Sequence, residues 1–301
     1  MDIVLPYVDC SDPAWQDTFL AQRWKNPLSP RLKEVFLRPY QCRFSDHGLF
    51  RYWWRALERN YRDVGRVHLL LMSESQYPSF LRRDDPRIVP YFHREFIPEH
   101  LNPCYNSSVI ELCAIKELDL PETFILANDD MYFNAPVDDT RFVDSGRPLT
   151  RISVGGRYGT GSNFQCALAN GRDLVSRHYG KPCPDYRYYH LFQVYDTAFC
   201  KMFLASEWEA ISAGMTKSRN RKNHNHMMLM MAQNLAGVSE DSDRFPCSGY
   251  YEMPNIREED FGEIGEHPCI CLNDTNGMHV GVARKYLEER YPEPCGFEIP
   301  A

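Results

Sequence analysis

The chain reads as an α/β protein built on a mostly parallel sheet. Two observations predict this. Short apolar runs alternate with amphipathic helical segments, the pattern of β-α-β units. Two of those runs also end in acidic turns, and such sheets bind ligands beyond the carboxyl ends of their strands.

Ile3-Val-Leu-Pro-Tyr-Val8 reads as a buried strand running into Asp9-Cys-Ser-Asp-Pro13, a turn cluster that can also start a helix. Residues 14–40 are polar and interrupted by Pro27, Pro30 and Pro39, which predicts an irregular excursion. Leu49 to Tyr61 reads as a helix, with Leu49, Trp53, Leu57 and Tyr61 on one face and Arg51, Arg55 and Arg59 on another. Val67–Met72 and Arg87–Tyr91 are the next strands. Ser107–Leu118 comes next as a helix, with Asn106 or Ser107 as its N-cap. Phe124-Ile-Leu-Ala127 is a fourth strand, and it leads straight into Asn128-Asp129-Asp130.

Beyond residue 150 the pattern changes. Gly155-Gly-Arg-Tyr-Gly-Thr-Gly161 is glycine-rich but has no Gly-Lys-Ser/Thr, so alone it says little about phosphate. Residues 166–235 read as mostly helical, with a polar interruption at 217–226. Cys269–Asp274 reads as a late strand, on which Cys269 and Cys271 face the same way as buried small hydrophobes. A metal site there would need ligands that the local sequence does not offer.

Composition narrows the function. The 301 residues are 43% hydrophobic and 13% aromatic, ample for a core, and the formal net charge is −7. An acidic chain without a Lys/Arg block is a poor sequence-independent binder of nucleic acid. The 11 cysteines are odd in number, scattered and lack a CxxC pair, which reads as reduced thiols in a cytoplasmic protein. No signal peptide is evident, and no apolar stretch reaches the roughly 20 residues that span a bilayer.

Several groups can carry chemistry. Asp129 and Asp130 after a strand can bind a divalent metal, position a nucleophile or simply cap a helix. Arg43 and Arg51, flanking Asp46, can grip a diphosphate, although an arginine stripe is more often a solvated face. His190 suits a general base by chemistry and a core position by its aromatic neighbours. His224 and His226 lack a second ligand pair, so the 217–226 stretch reads as a charged loop, whose Arg219 and Arg221 can serve an anion.

Together these segments resemble the Stealth family of sugar-phosphate transferases. Asp2–Pro13 resembles its first block. Arg43-Phe-Ser-Asp-His-Gly-Leu-Phe-Arg51, Asn106-Ser107 and Phe124–Asp130 resemble the second. The stretch around His190 resembles the third, and Cys271-Leu-Asn-Asp274 through Pro294–Glu298 the fourth. This chain has Cys10 where the first block usually has glycine, His190-Leu-Phe192 where the third often has His-x-Pro, and Asn225 where an Arg-x-x-x-Asp motif opened by Arg221 would have aspartate.

The resemblance implies a glycosyltransferase-A-like or Rossmann-like nucleotide-sugar core with a helical insertion. One catalytic domain would span 1–301, with its core at 1–150 and 240–301 and an acceptor-side helical region at about 166–235. Asp129, Asp130, His190, Arg221 and Asp274 fall on catalytic positions. Asp9, Asp12, Arg43, Asp46, Arg51, Asn106, Ser107 and Asn128 fall in the donor-binding blocks. Asp130 and Asp274 are the implied ligands of Mg2+ or Mn2+. The implied reaction moves a hexose-1-phosphate, an N-acetylhexosamine-1-phosphate such as that of UDP-GlcNAc, from a UDP-sugar to an oligo- or polysaccharide hydroxyl in capsule or exopolysaccharide synthesis. UMP would leave. The expected setting is the cytoplasm, with a lipid-linked acceptor placing the protein peripherally at the inner membrane face. The competing readings are a glycosyltransferase that releases UDP and a non-catalytic carbohydrate-binding subunit.

Overall fold

The computed structural model describes residues 1–24, 28–37, 44–156, 158–159, 161–187, 189–218, 227–246, 249–275 and 280–300. Arg43, Arg219, Arg221, His224 and His226 lie outside the described residues. The main strands are β1 (Asp2–Pro6), β2 (Val67–Leu71), β3 (Ile88–Phe92), β4 (Thr123–Leu126), β5 (Met131–Phe133), β6 (Gln193–Asp196), β7 (Tyr250–Glu252) and β8 (Cys269–Asn273). The main helices are α1 (Pro13–Ala21), α2 (Pro30–Leu37), α3 (Phe50–Asn60), α4 (Ser107–Glu117), α5 (Asn163–Tyr179), α6 (Thr197–Ser218), α7 (Met228–Ala236) and α8 (Gly281–Arg290).

The central sheet has the order β6-β4-β1-β2-β3. β1 pairs in parallel with β2 and β4, and β2 with β3; β6 joins β4 antiparallel. The α/β class with a mostly parallel sheet is therefore the observed one. β2 is buried throughout, and β1 is buried at Ile3, Val4 and Leu5, because helices cover both faces. Chain order explains the site. The chain goes outward from β1 to β2 and β3, then returns to the other side of β1 with β4. That reversal opens a crevice at the carboxyl ends of β1 and β4.

α3 packs Trp53, Trp54 and Leu57 into the core. Its Arg55 is also buried, donating to both oxygens of Glu298, while Arg59 donates to the Arg290 carbonyl at 2.6 Å. α4 begins as expected at Asn106, whose side chain accepts from the Ser108 amide.

One expectation is corrected. Where described, residues 14–40 are mostly helical rather than an irregular excursion, since α1 and α2 both lie there. Pro13 and Pro30 each open a helix. The first turn tolerates a missing N–H and favours the fixed φ of proline, so these prolines begin structure rather than break it. Where described, the 166–235 stretch is mostly helical, as expected, and it also contributes β6 to the central sheet. Among the described residues no helix is long and apolar enough to cross a membrane.

A second, small sheet has the order β7-β8-β5. β8 runs antiparallel to β5 in a register that sets Cys271 opposite Met131. The Leu272 amide donates to the Asp130 carbonyl at 2.8 Å. This sheet brings the last fifth of the sequence against the Asn128–Asp130 turn.

Candidate active site

A cavity of about 920 Å3 opens at the carboxyl ends of β1 and β4. That lies within the roughly 300–1,000 Å3 of small-ligand pockets. It is lined by Asp46 and His47 before α3, by Asn106, Ser107 and Glu111 of α4, by Asn128, Asp129 and Asp130 after β4, by His190 before β6 and by Asp274 after β8. Trp15, Phe44 and Tyr105 line it too, and they pack ring against ring. Among the described lining residues there is no lysine or arginine. A wall so rich in carboxylates holds a phosphate only with a cation beside it.

Two acid–histidine pairs face this cavity. His190 Nε2 stands 3.5 Å from Asp130 Oδ2. His47 Nε2 stands 2.7 Å from Asp274 Oδ2, with both side chains largely buried. The His47 backbone has φ 50°, a conformation that costs a non-glycine residue energy. Its turn is fixed from two sides. Asp46 accepts from the Gly48 and Phe50 amides, and the Arg284 guanidinium donates to the His47 carbonyl. Burial, opposed by the Gly48 amide and reinforced by Asp9, raises the Asp46 carboxyl above the usual carboxylate range.

Asp130 is held from behind. The Cys271 thiol donates to its Oδ2 at 3.4 Å, while its Oδ1 is buried without a hydrogen-bond partner. Burial, with Asp130 adding to it, pushes the Cys271 thiol well above its ordinary value, so it is a protonated donor here.

Of the positions singled out in the sequence, Asp46, Asn106, Ser107, Asn128, Asp129, Asp130, His190 and Asp274 converge on the cavity. Asp9, Asp12 and Arg51 do not line it. Asp9 accepts from the amide and hydroxyl of Ser11. Asp12 caps α1 and also accepts from Ser75 and Gln76. Arg51 is half-exposed, 3.3 Å from Glu298 and over the Phe80 ring. Arg43 and Arg221 lie outside the described residues. The glycine-rich loop is structural where described: the Gly155 and Gly156 amides both donate to the Asp185 carbonyl. A Cβ on Gly156 would stand 2.5 Å from the Tyr186 oxygen.

The family model described as Stealth protein CR2, conserved region 2, matches residues 43–149. That is 107 of the 301 residues, and it contains the Asp46–His47 turn, the start of α4 and the Asn128–Asp130 turn. Over that stretch the chain is similar to the Stealth family. A capsular polysaccharide phosphotransferase, WcwK of Streptococcus pneumoniae, is 31% identical over 187 residues, 60% of this chain and 53% of that protein. The receptor polysaccharide phosphotransferase WefC of Streptococcus oralis is 31% identical over 186 residues, 60% of this chain and 53% of its own length. In these two alignments the chain spans about half the length of its relative. Another pneumococcal WcwK aligns over 99% of this chain and 98% of its own length at 23% identity. Among solved structures, the galactosyltransferase LgtC with donor and acceptor sugar analogues covers 100% of this chain and 98% of that chain, at 10% identity and a TM-score of 0.45.

The site holds residues that sequence reasoning missed. His47 goes unmarked inside the Arg43–Arg51 motif; its place before Gly48 in a turn is the available signal. Cys271 reads as apolar filling without ligands nearby. The register of β8 on β5 instead sets it against Asp130, with His190 beyond, and their three ligand atoms lie within 4.8 Å of one another. The expected metal pair of Asp130 and Asp274 lines the same cavity, each with a histidine beside it. Asp274 pairs with His47, and the cluster around Asp130 is completed by His190 and Cys271.

Proposed function

We propose that this protein is a Stealth-family phosphotransferase that moves a hexose-1-phosphate, in our reading an N-acetylhexosamine-1-phosphate, from a UDP-sugar to a carbohydrate hydroxyl. The observation that carries the proposal is the pair of acid–histidine couples facing one nucleotide-sized cavity at the switch point of a parallel sheet. The names of the relatives, all phosphotransferases of capsular or receptor polysaccharide, support the same class.

In the proposed reaction an acceptor hydroxyl attacks the β-phosphorus of the donor. A new phosphorus–oxygen bond forms, the bond to UMP breaks and the anomeric carbon–oxygen bond survives. His190 takes the hydroxyl proton, and Asp130, 3.5 Å away, orients its ring and stabilises the imidazolium. Asp129 is the second candidate for that proton. The N-terminus of α4 at Asn106–Ser107 offers its partial positive end to the phosphates. Arg221 and Arg43 are retained as phosphate-binding candidates, and Arg51 is not.

A hard divalent ion such as Mg2+ or Mn2+ fits at Asp129 and Asp130, since such ions commonly use one or two carboxylates together with substrate phosphates. The buried, unpartnered Asp130 Oδ1 is the atom that asks for it. When bound, the ion would neutralise charge on the transferring phosphoryl group. The acceptor is an oligo- or polysaccharide, lipid-linked if the reaction sits at the inner membrane face. A cytoplasmic setting agrees with the described cysteines all being free thiols.

Nucleotide release tests the proposal. The purified protein is incubated with Mg2+, a panel of UDP-sugars and an acceptor mixture, and the released nucleotide is identified by chromatography. UMP with a phosphodiester product is the expected result. UDP would overturn it in favour of a glycosyltransferase, and no release with any donor or acceptor would favour a binding subunit.

A further inference from the structure

The cluster beneath Asp130 has a composition unlike that of a hard-metal site. It offers one oxygen, one nitrogen and one sulfur, from Asp130, His190 and Cys271. Mg2+ and Ca2+ favour oxygen, whereas sulfur and imidazole together favour borderline-soft ions. We propose that Asp130, His190 and Cys271 form a three-ligand site for a divalent cation of the zinc class, with the fourth position open to the cavity.

Distances support this. With zinc about 2.3 Å from sulfur and about 2.0–2.2 Å from nitrogen or oxygen, a tetrahedral angle places ligand atoms roughly 3.3–3.6 Å apart. Asp130 Oδ2 stands 3.5 Å from His190 Nε2 and 3.4 Å from Cys271 Sγ. Two edges of the ligand triangle therefore already have the length that a shared ion requires. Asp130 and His190 line the cavity, so an ion can enter from it, while Cys271 is fully buried behind them. Tyr250 lies edge-on to the His190 ring at 6.1 Å and flanks the site.

Binding exchanges one bond for another. The Cys271 S–H bond breaks, a sulfur–metal bond forms, and the proton leaves to solvent. The S–H···O hydrogen bond to Asp130 is lost in the exchange. Three protein ligands with one open position is the make-up of zinc sites that bind a further ligand.

One consequence rests on the proposed function. Asp130 and His190 are assigned there to the transfer, so an ion of the zinc class held by both of them inhibits a Mg2+-supported reaction.

The test is cobalt titration of the full chain after dialysis against a chelator. The expected result is one tight Co2+ per chain with a thiolate-to-cobalt charge-transfer absorption, displaced by Zn2+. Cys271→Ser abolishes the band, and Cys269→Ser, two residues away on the same strand, retains it. His190→Ala weakens Co2+ binding by more than about tenfold, since losing even an outer-shell partner costs at least that much. His190 is more than a third exposed, so this variant tests the site even if Cys271→Ser fails to fold. Cobalt that binds without the thiolate band, or equally well to His190→Ala, overturns the site. Zinc is then added to the nucleotide-release assay. The band with no turnover under any condition overturns the proposed function and keeps the site; turnover without the band does the reverse.

Discussion

After β1 the chain turns through Asp9-Cys-Ser-Asp12, and after β4, the neighbouring parallel strand, it turns through Asn128-Asp-Asp130. Both turns are acidic and both stand at the carboxyl edge of the same sheet. In the first, the carboxylates are committed to donors of the turn itself and of the Ser75–Gln76 segment beyond β2. Asp9 accepts from Ser11, and Asp12 accepts from Ala14 at 3.0 Å, Ser75 at 2.7 Å and Gln76 at 2.7 Å. In the second, Asp129 and Asp130 line the cavity, and Asp130 keeps a buried oxygen without a hydrogen bond. The element that succeeds each turn contributes to the difference. Pro13 starts a helix at once, and the turn becomes its cap. Met131–Phe133 instead forms a strand clamped by β8, which holds the Asp129–Asp130 turn toward the cavity. An acidic turn becomes a site where the next element does not draw its carboxylates into a cap.

The contrast can be broken by substitution. The largest effect is expected for Asp130→Ala, with transfer falling by about 10^3-fold or more while circular dichroism stays native. An active, folded Asp130→Ala protein would put the two turns on the same footing and remove the proposed role. His47→Ala should come next. It takes away the imidazole 2.7 Å from Asp274 and should lower kcat by roughly tenfold to 100-fold, as loss of a positioning shell does. A change confined to thermal stability would make the His47–Asp274 couple a structural pair only.

Asp12→Ala tests the other side of the comparison. It removes the N-cap of α1 and should cost about 1–2 kcal/mol in denaturant unfolding, with turnover per folded molecule unchanged. A loss of donor binding instead would return this turn to the site. Asp9→Ala is expected to be the mildest, within about 0.5 kcal/mol, because its carboxylate accepts from the exposed amide and hydroxyl of Ser11. A steady-state KM for donor that rises severalfold in Asp9→Ala would instead give Asp9 a part in donor binding.

Much of the frame is legible from residues alone. Each core strand is a short apolar run, and Trp53, Leu57 and Tyr61 of the α3 stripe are all buried as their spacing of four predicts. The Asn106 cap is legible because capping is local chemistry between a side chain and an amide two residues away. The Asn128–Asp130 turn after β4, with its two adjacent carboxylates, is legible because a strand end and a turn are both local. Pro30 misleads because proline ends a helix in its interior but begins one at its first turn, and only the surrounding fold decides which applies.

The partners of the site residues belong to a different kind of information. His47 meets Asp274, and Asp130 meets Cys271, across 227 and 141 positions of sequence. No local pattern encodes those distances; they result from the antiparallel register of β8 on β5 and from the turn that Asp46 and Arg284 hold. Arg51 and Arg55 carry the same charge one helical turn apart, yet both lie beside Glu298 from the far end of the chain rather than facing the cavity. Sequence determined which segments became strands and helices, because those choices depend on neighbours within a few residues. Tertiary structure decided which carboxylates face the cavity, because that depends on which distant donors the fold brings to each one.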